Sequence, residues 1–176
     1  NHVVLVVGAE PDHGWRRVCT AVTDLALDLD VRMVIGLGAY PAPVPHTRDT
    51  NLALTSPSPD VLDAHTGFFK GTIDVPAGIQ SAIEVSTHTA GIPSMALWAQ
   101  VPHYISGMGY PAGSLALVEG LGRVAGLSFP TATLAIEASE TRHRLDELVS
   151  GNHQHEEMLR QLEEVVDSSP PPDDLG

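Results

Sequence analysis

The feature that most constrains this chain is an alternation of apolar patterns near its start. Val3 to Val7 is a continuous β-branched run that ends at Gly8. From Trp15 the spacing Val18, Val22, Leu25, Leu29 marks one helical face, and Asp12 is placed to cap it. Val31 to Leu37 is a second apolar run, followed by a Pro-rich stretch from Gly38 to Arg48. Runs without a polar alternate read as strands buried on both faces. Strand, helix, strand in this order makes a βαβ unit, whose crossover should be right-handed and its strands parallel.

The pattern continues. Asn51 to Thr55 reads as a short strand, and Ser58 or Asp60 starts a short helix through Leu62. Ile79, Ala82, Ile83, Ser86 and Ala90 share a helical face, with Pro76 near the first turn. Gly91-Ile92-Pro93 stops that helix and Ser94 to Val101 is a strand. Pro111 to Ala125 reads as a helix with Leu115, Val118 and Leu121 inward. Thr133 to Val149 and His153 to Val166 are charged helices with narrow stripes at Leu145, Leu148, Val149 and at Met158, Leu162, Val165. The expected fold class is α/β, three-layer α/β/α with a mostly parallel sheet and a C-terminal helical extension. Residues 1–130 form the sheet domain, 131–167 the helical segment, and the Pro/Asp-rich 168–176 a disordered tail.

Charge narrows the function classes. Among 176 residues, 22 acidic side chains face 9 basic ones, for a net charge of -13. Such a surface repels phosphate backbones and anionic bilayers, so neither nucleic acid nor membrane is an expected partner. No apolar run approaches the ~20 residues that span a bilayer, and no signal peptide is visible. The single cysteine, Cys19, cannot form an internal disulfide and reads as a buried apolar residue in a cytoplasmic protein.

In an open parallel sheet, ligands bind beyond the carboxyl ends of the strands. Three loops leave such ends. The first holds Glu10, Asp12, His13 and Trp15; the second, GAYPAPVPHTR, holds Tyr40, His46, Thr47 and Arg48; the third, WAQVPHY, holds Gln100, His103 and Tyr104. The candidate binding residues are His46, Thr47, Arg48, Gln100, His103 and Tyr104. Each has a plainer reading. A histidine after proline, as at Pro45-His46 and Pro102-His103, is commonly a turn residue bonded to nearby backbone. Arg48 either grips a carboxylate or phosphate bidentately, or makes a structural ion pair or carbonyl clamp. Gly36-Leu37-Gly38 starts like a dinucleotide fingerprint, but Tyr40 and Pro41 deny it the third glycine and the helix start. His153-Gln154-His155-Glu156 places its histidines two apart, on different faces of a helix, so no metal site is assigned. No nucleophile-elbow context surrounds a serine, and no catalytic residue or cofactor is assigned.

The blocks GLGAYPAPVPHTR, VPAGIQSAIE, GIPSMALWAQVPHY and RHRLDELV resemble the actinobacterial branch of the proteasome assembly chaperone family named after the second such chaperone. The likeness runs from about Val3 to about Val166. It implies a phosphorylase/hydrolase-like three-layer fold and non-catalytic scaffolding that recognises proteasome C-terminal tails. It also implies that the family domain begins before Asn1 with further strands. Three functions follow as expectations. The first is a chaperone-like protein holding a protein tail or small anion at the carboxyl edge. The second is an enzyme of nucleoside phosphorylase/hydrolase type, or an ATP-grasp-like ligase, on the same edge, with His46 or His103 as acid/base and Arg48 on phosphate. The third is a homo-oligomer joined through its C-terminal helices.

Overall fold

The computed structural model describes residues 2–70, 78–105 and 107–169. In chain order the elements are α1 (Trp15–Asp28), β1 (Val34–Ala42), β2 (Leu52–Thr55), α2 (Pro59–Asp63), β3 (Phe69–Lys70), α3 (Ile79–Thr89), β4 (Ser94–Pro102), α4 (Pro111–Ala125), α5 (Ala132–Val149) and α6 (His153–Ser168). A 3-10 turn over His103–Ile105 follows β4. The four strands form one sheet in the order β1-β4-β2-β3. β1 and β4 are parallel with Val34 opposite Ser94, β2 and β3 are parallel, and β2 runs antiparallel to β4.

The pleat of β4 sorts the layers. Met95, Leu97 and Ala99 point to one face, where with Leu52, Leu54 and Phe68 they form the core under Ala116, Leu117, Leu121 and Val124 of α4. Gly120 lets α4 approach closely: a Cβ there would lie 2.5 Å from Leu52 Cδ1. The inward face of α4 is therefore turned from the expected Leu115 and Val118 onto Ala116, Leu117 and Gly120, because small residues set the distance. α5 packs on α4 from outside and contributes Ala138 and Leu145 to the interior. Ser94, Ala96 and Trp98 point to the other face, toward α3, and α1 packs on α3 in turn, with Thr23 Oγ1 2.9 Å from Ser86 Oγ. The result is the expected three-layer α/β/α arrangement with a mostly parallel sheet.

Several expectations are corrected. Val3 to Val7 forms no strand, and its side chains are 53–83% exposed. Strand propensity needs a ladder to become a strand, and among the described residues nothing pairs with this run. The loop from Glu10 thus leaves no strand end; the Glu10 carboxylate accepts the Ile79 N–H at 2.7 Å, at the start of α3. Gly14, in the left-handed region (φ 77°), is the N-cap of α1, and no side chain caps it, Asp12 included. The second strand starts at Val34 rather than Val31 and continues through Pro41 to Ala42, since all nine residues find partners on β4. Pro41 is tolerated because β1 is an edge strand. Helix α6 extends to Ser168, and the rest of the expected disordered tail, from 170, lies outside the described residues, as does Pro76. Cys19 is buried in α1. No helix among the described residues is long and apolar enough to cross a membrane.

Candidate partner-binding site

β1 and β4 end side by side, so the chains leaving them meet. After Ala42 the backbone makes a tight turn around Pro43, with Val44 N–H bonded to the Ala42 carbonyl at 2.9 Å. Pro45 then delivers His46 into the interior, where it is 2% exposed. After Pro102 the 3-10 turn carries Tyr104 to the same place.

His46 is held from three directions. Its backbone N–H donates to Tyr104 Oη at 2.8 Å, its Nδ1 lies 2.7 Å from the same oxygen, and its Nε2 lies 3.1 Å from Asp146 Oδ1 on α5. Proton bookkeeping assigns the tautomer. The Asp146 carboxylate can only accept, so the ring hydrogen sits on Nε2 and donates to it, which leaves Nδ1 to accept the Tyr104 O–H. This arrangement satisfies a neutral imidazole completely. Burial holds the His46 pKa below the ordinary histidine value, against the opposing pull of Asp146. Burial likewise pushes the Tyr104 phenol up to about 12.

The next two residues turn outward onto α6. Arg48 Nε and Nη2 hold the two oxygens of Asp167 at 2.8 and 2.7 Å, and Nη1 lies 3.0 Å from Glu163 Oε1. Thr47 Oγ1 donates to the same Glu163 oxygen, and its carbonyl accepts from Arg142 of α5. The Asp167 carboxylate raises the Arg48 pKa and is itself lowered. Arg48 thus grips carboxylates bidentately, as its residue type allows, and the carboxylates belong to its own chain.

His46, Thr47, Arg48 and Tyr104 therefore share one cluster. His103 borders it, with its ring 5.5 Å from that of Tyr104 and its Nδ1 3.3 Å from the Ala42 carbonyl. Gln100 does not join. It lies on the Trp98 face of β4, where its Nε2 donates to Tyr40 Oη at 3.0 Å. Asp146, Glu163, Asp167 and Arg142 were not legible as site residues, because on a charged helix they look like a solvated face. A separate seam lies under α3. Glu84 is 8% exposed and accepts from Thr55 Oγ1 at 3.4 Å, and burial raises its pKa to about 7. Among the described residues, no group of three or more histidine, cysteine or acidic side chains is placed to hold a metal ion.

A model of the PAC2 family matches residues 1–149. Among solved structures, the chain is similar to the Mycobacterium tuberculosis unknown-function protein Rv2714, with 33% identity and a TM-score of 0.82 over 90% of this chain and 54% of that one. A protein of unknown function from Corynebacterium glutamicum ATCC 13032 is similar at 28% identity and TM-score 0.84, over 92% and 59% of the two chains. The Mycobacterium tuberculosis proteasome-assembly chaperone homologue Rv2125 is similar at 29% identity and TM-score 0.76, over 86% and 64%. The chain thus spans less than two thirds of the length of each. No functionally curated protein matches it.

Proposed function

Because this chain belongs to the PAC2 family, we propose that it acts as a non-catalytic, chaperone-like binding protein in the cytoplasm, with a proteasome-related protein partner. The site would lie at the carboxyl edge of the sheet, where Thr47 and Arg48 hold a protein tail or small anion, Tyr104 and His46 set the shape of the loop, and His103 flanks it. The observation that carries this reading is the Arg48 geometry: a guanidinium fork closed on a carboxylate, backed by a threonine hydroxyl. That is recognition chemistry for an acidic group. His46 is unsuited to acid/base work in this arrangement, since both ring nitrogens are engaged inside the protein. The likeness to a proteasome-assembly chaperone homologue supports the choice of partner class.

The test is affinity capture of the tagged protein from its native host, with the Arg48→Ala variant alongside. Enrichment of proteasome subunits that falls at least about tenfold in the variant is expected, the loss typical of a charge-assisted contact. Capture without proteasome subunits would overturn the partner; capture indifferent to Arg48 would overturn the site. We also propose self-association through the C-terminal helices, where Ile136, Leu148 and Val165 stay 60%, 66% and 58% exposed.

A further inference from the structure

Helix α6 sits on Arg48 as a ligand would. It presents Glu163 and Asp167 one helical turn apart, and Thr47 and Arg48 take both. Outside this contact its attachment is slight. No side chain of α6 is fully buried; its apolar face, Met158, Leu159, Leu162 and Val166, is only half-buried. A groove of about 240 Å³ runs between α6 and α5, lined by Val149 and Leu159 among polar groups.

The helix is also self-sufficient. The Asn152 side chain caps it by accepting the N–H groups of Gln154 and His155. Arg160 pairs with Glu157 and Glu164 on its own surface. The link from α5 passes through Gly151 at φ 87°, a conformation glycine adopts freely. Charge completes the picture. Over His153–Ser168 five acidic residues face one arginine, and the whole chain carries -13. An acidic helix on an acidic protein is repelled except at its few cations, so beyond the half-buried apolar face it is Arg48 that fixes α6 in place.

We propose that α6 is a resident, displaceable occupant of the partner site, and that the partner it stands in for is an acidic amphipathic helix with carboxylates four residues apart. This deepens the reading of the carboxyl edge as a partner site and rests on it. A tethered helix competes at an effective concentration on the order of millimolar. A free partner helix therefore binds weakly until α6 is loosened, and the site is gated by its own chain.

The probe is a synthetic, end-blocked, fluorescein-labelled peptide covering residues 152–168, titrated by fluorescence anisotropy with the full chain. Glu163→Gln with Asp167→Asn in the protein should tighten peptide binding by at least about tenfold, because the resident helix loses its grip. Adding Arg48→Ala should abolish that gain, and 0.5 M salt should weaken it. Hydrogen exchange of residues 153–168 in the unaltered chain should rise when unlabelled peptide is added, a readout that needs no variant to fold. Equal affinity for the unaltered and doubly substituted proteins, or no change in exchange, would overturn displacement. Equal binding of a control peptide bearing the same Gln and Asn changes would overturn the acidic specificity. If displacement fails while proteasome capture still depends on Arg48, the site reading survives without the gate; if capture ignores Arg48, both fall.

Discussion

Tyr104 and His46 lock the two loops together, and His46 is buried, so its own polar groups have no water to turn to. Removing the phenol by Tyr104→Phe leaves the His46 N–H without an acceptor and its Nδ1 without a donor. A buried group left unsatisfied costs about 1–3 kcal/mol. Urea denaturation should show the midpoint falling by that amount at an unchanged m-value. Arg48→Ala should act differently. Its partners are part exposed, Glu163 at 27% and Asp167 at 53%, and can rehydrate, so the melting temperature should change little while hydrogen exchange over α6 accelerates. A large loss of global stability with α6 still protected would mean that Arg48 supports the fold rather than the helix contact.

At the scale of elements, α3 against the sheet is the polar seam of the molecule. Trp98 donates from Nε1 to Thr55 Oγ1 at 3.0 Å, and its ring lies over Gly38, where a Cβ would come within 2.5 Å of it. Gly38→Ala should therefore displace the indole and cost about 1–3 kcal/mol by overpacking, read as a loss of Trp fluorescence blue shift together with a lower melting temperature. Glu84 sits in the same seam with a pKa raised to about 7 from 4.5. A raised folded pKa means stability that is complete below the unfolded value and lost as pH rises through the folded one. Glu84→Gln should then melt like the unaltered protein near pH 4.5 and at a higher temperature by pH 8, the difference growing between those limits. His46 works in the opposite sense: its lowered pKa gives stability that is present above about 6.5, the unfolded value, and is lost as pH falls. The Glu84→Gln difference curve cancels that contribution.

At the scale of the whole molecule, the β1 edge is unpaired among the described residues, and Leu37 on it is 39% exposed. Val3 to Val7 are also exposed, as are Ile136, Leu148 and Val165 on the C-terminal helices. Surfaces of this kind favour association. Light scattering at tens of micromolar, a concentration that populates ordinary homodimers, should return at least twice the monomer mass of 18.6 kDa. A clean monomer there would remove the proposed self-association.

Periodicity alone determined most of the elements here. Helices follow the 3.6-residue apolar spacing and strands the apolar runs, both properties of a local window; hence Pro111–Ala125 was legible to the residue and Ser94–Val101 nearly so. A mostly parallel sheet followed from the alternation of apolar runs and helical faces. The crossover rule, however, pointed to Val3–Val7 as the parallel partner of β1. It was the tertiary structure that put β4 there and so brought His46 to Tyr104. What the tertiary structure decided is everything that needs a distant partner. Val3 to Val7 carries strand propensity without a ladder, and β1 extends through a proline because β4 offers it nine partners. The occupant of Arg48 lies 119 residues away in sequence at Asp167, beyond the reach of any local pattern. A charged side chain reads the same whether it faces water or a guanidinium, and only the placement of α5 and α6 beside the loop that leaves β1 tells the two apart.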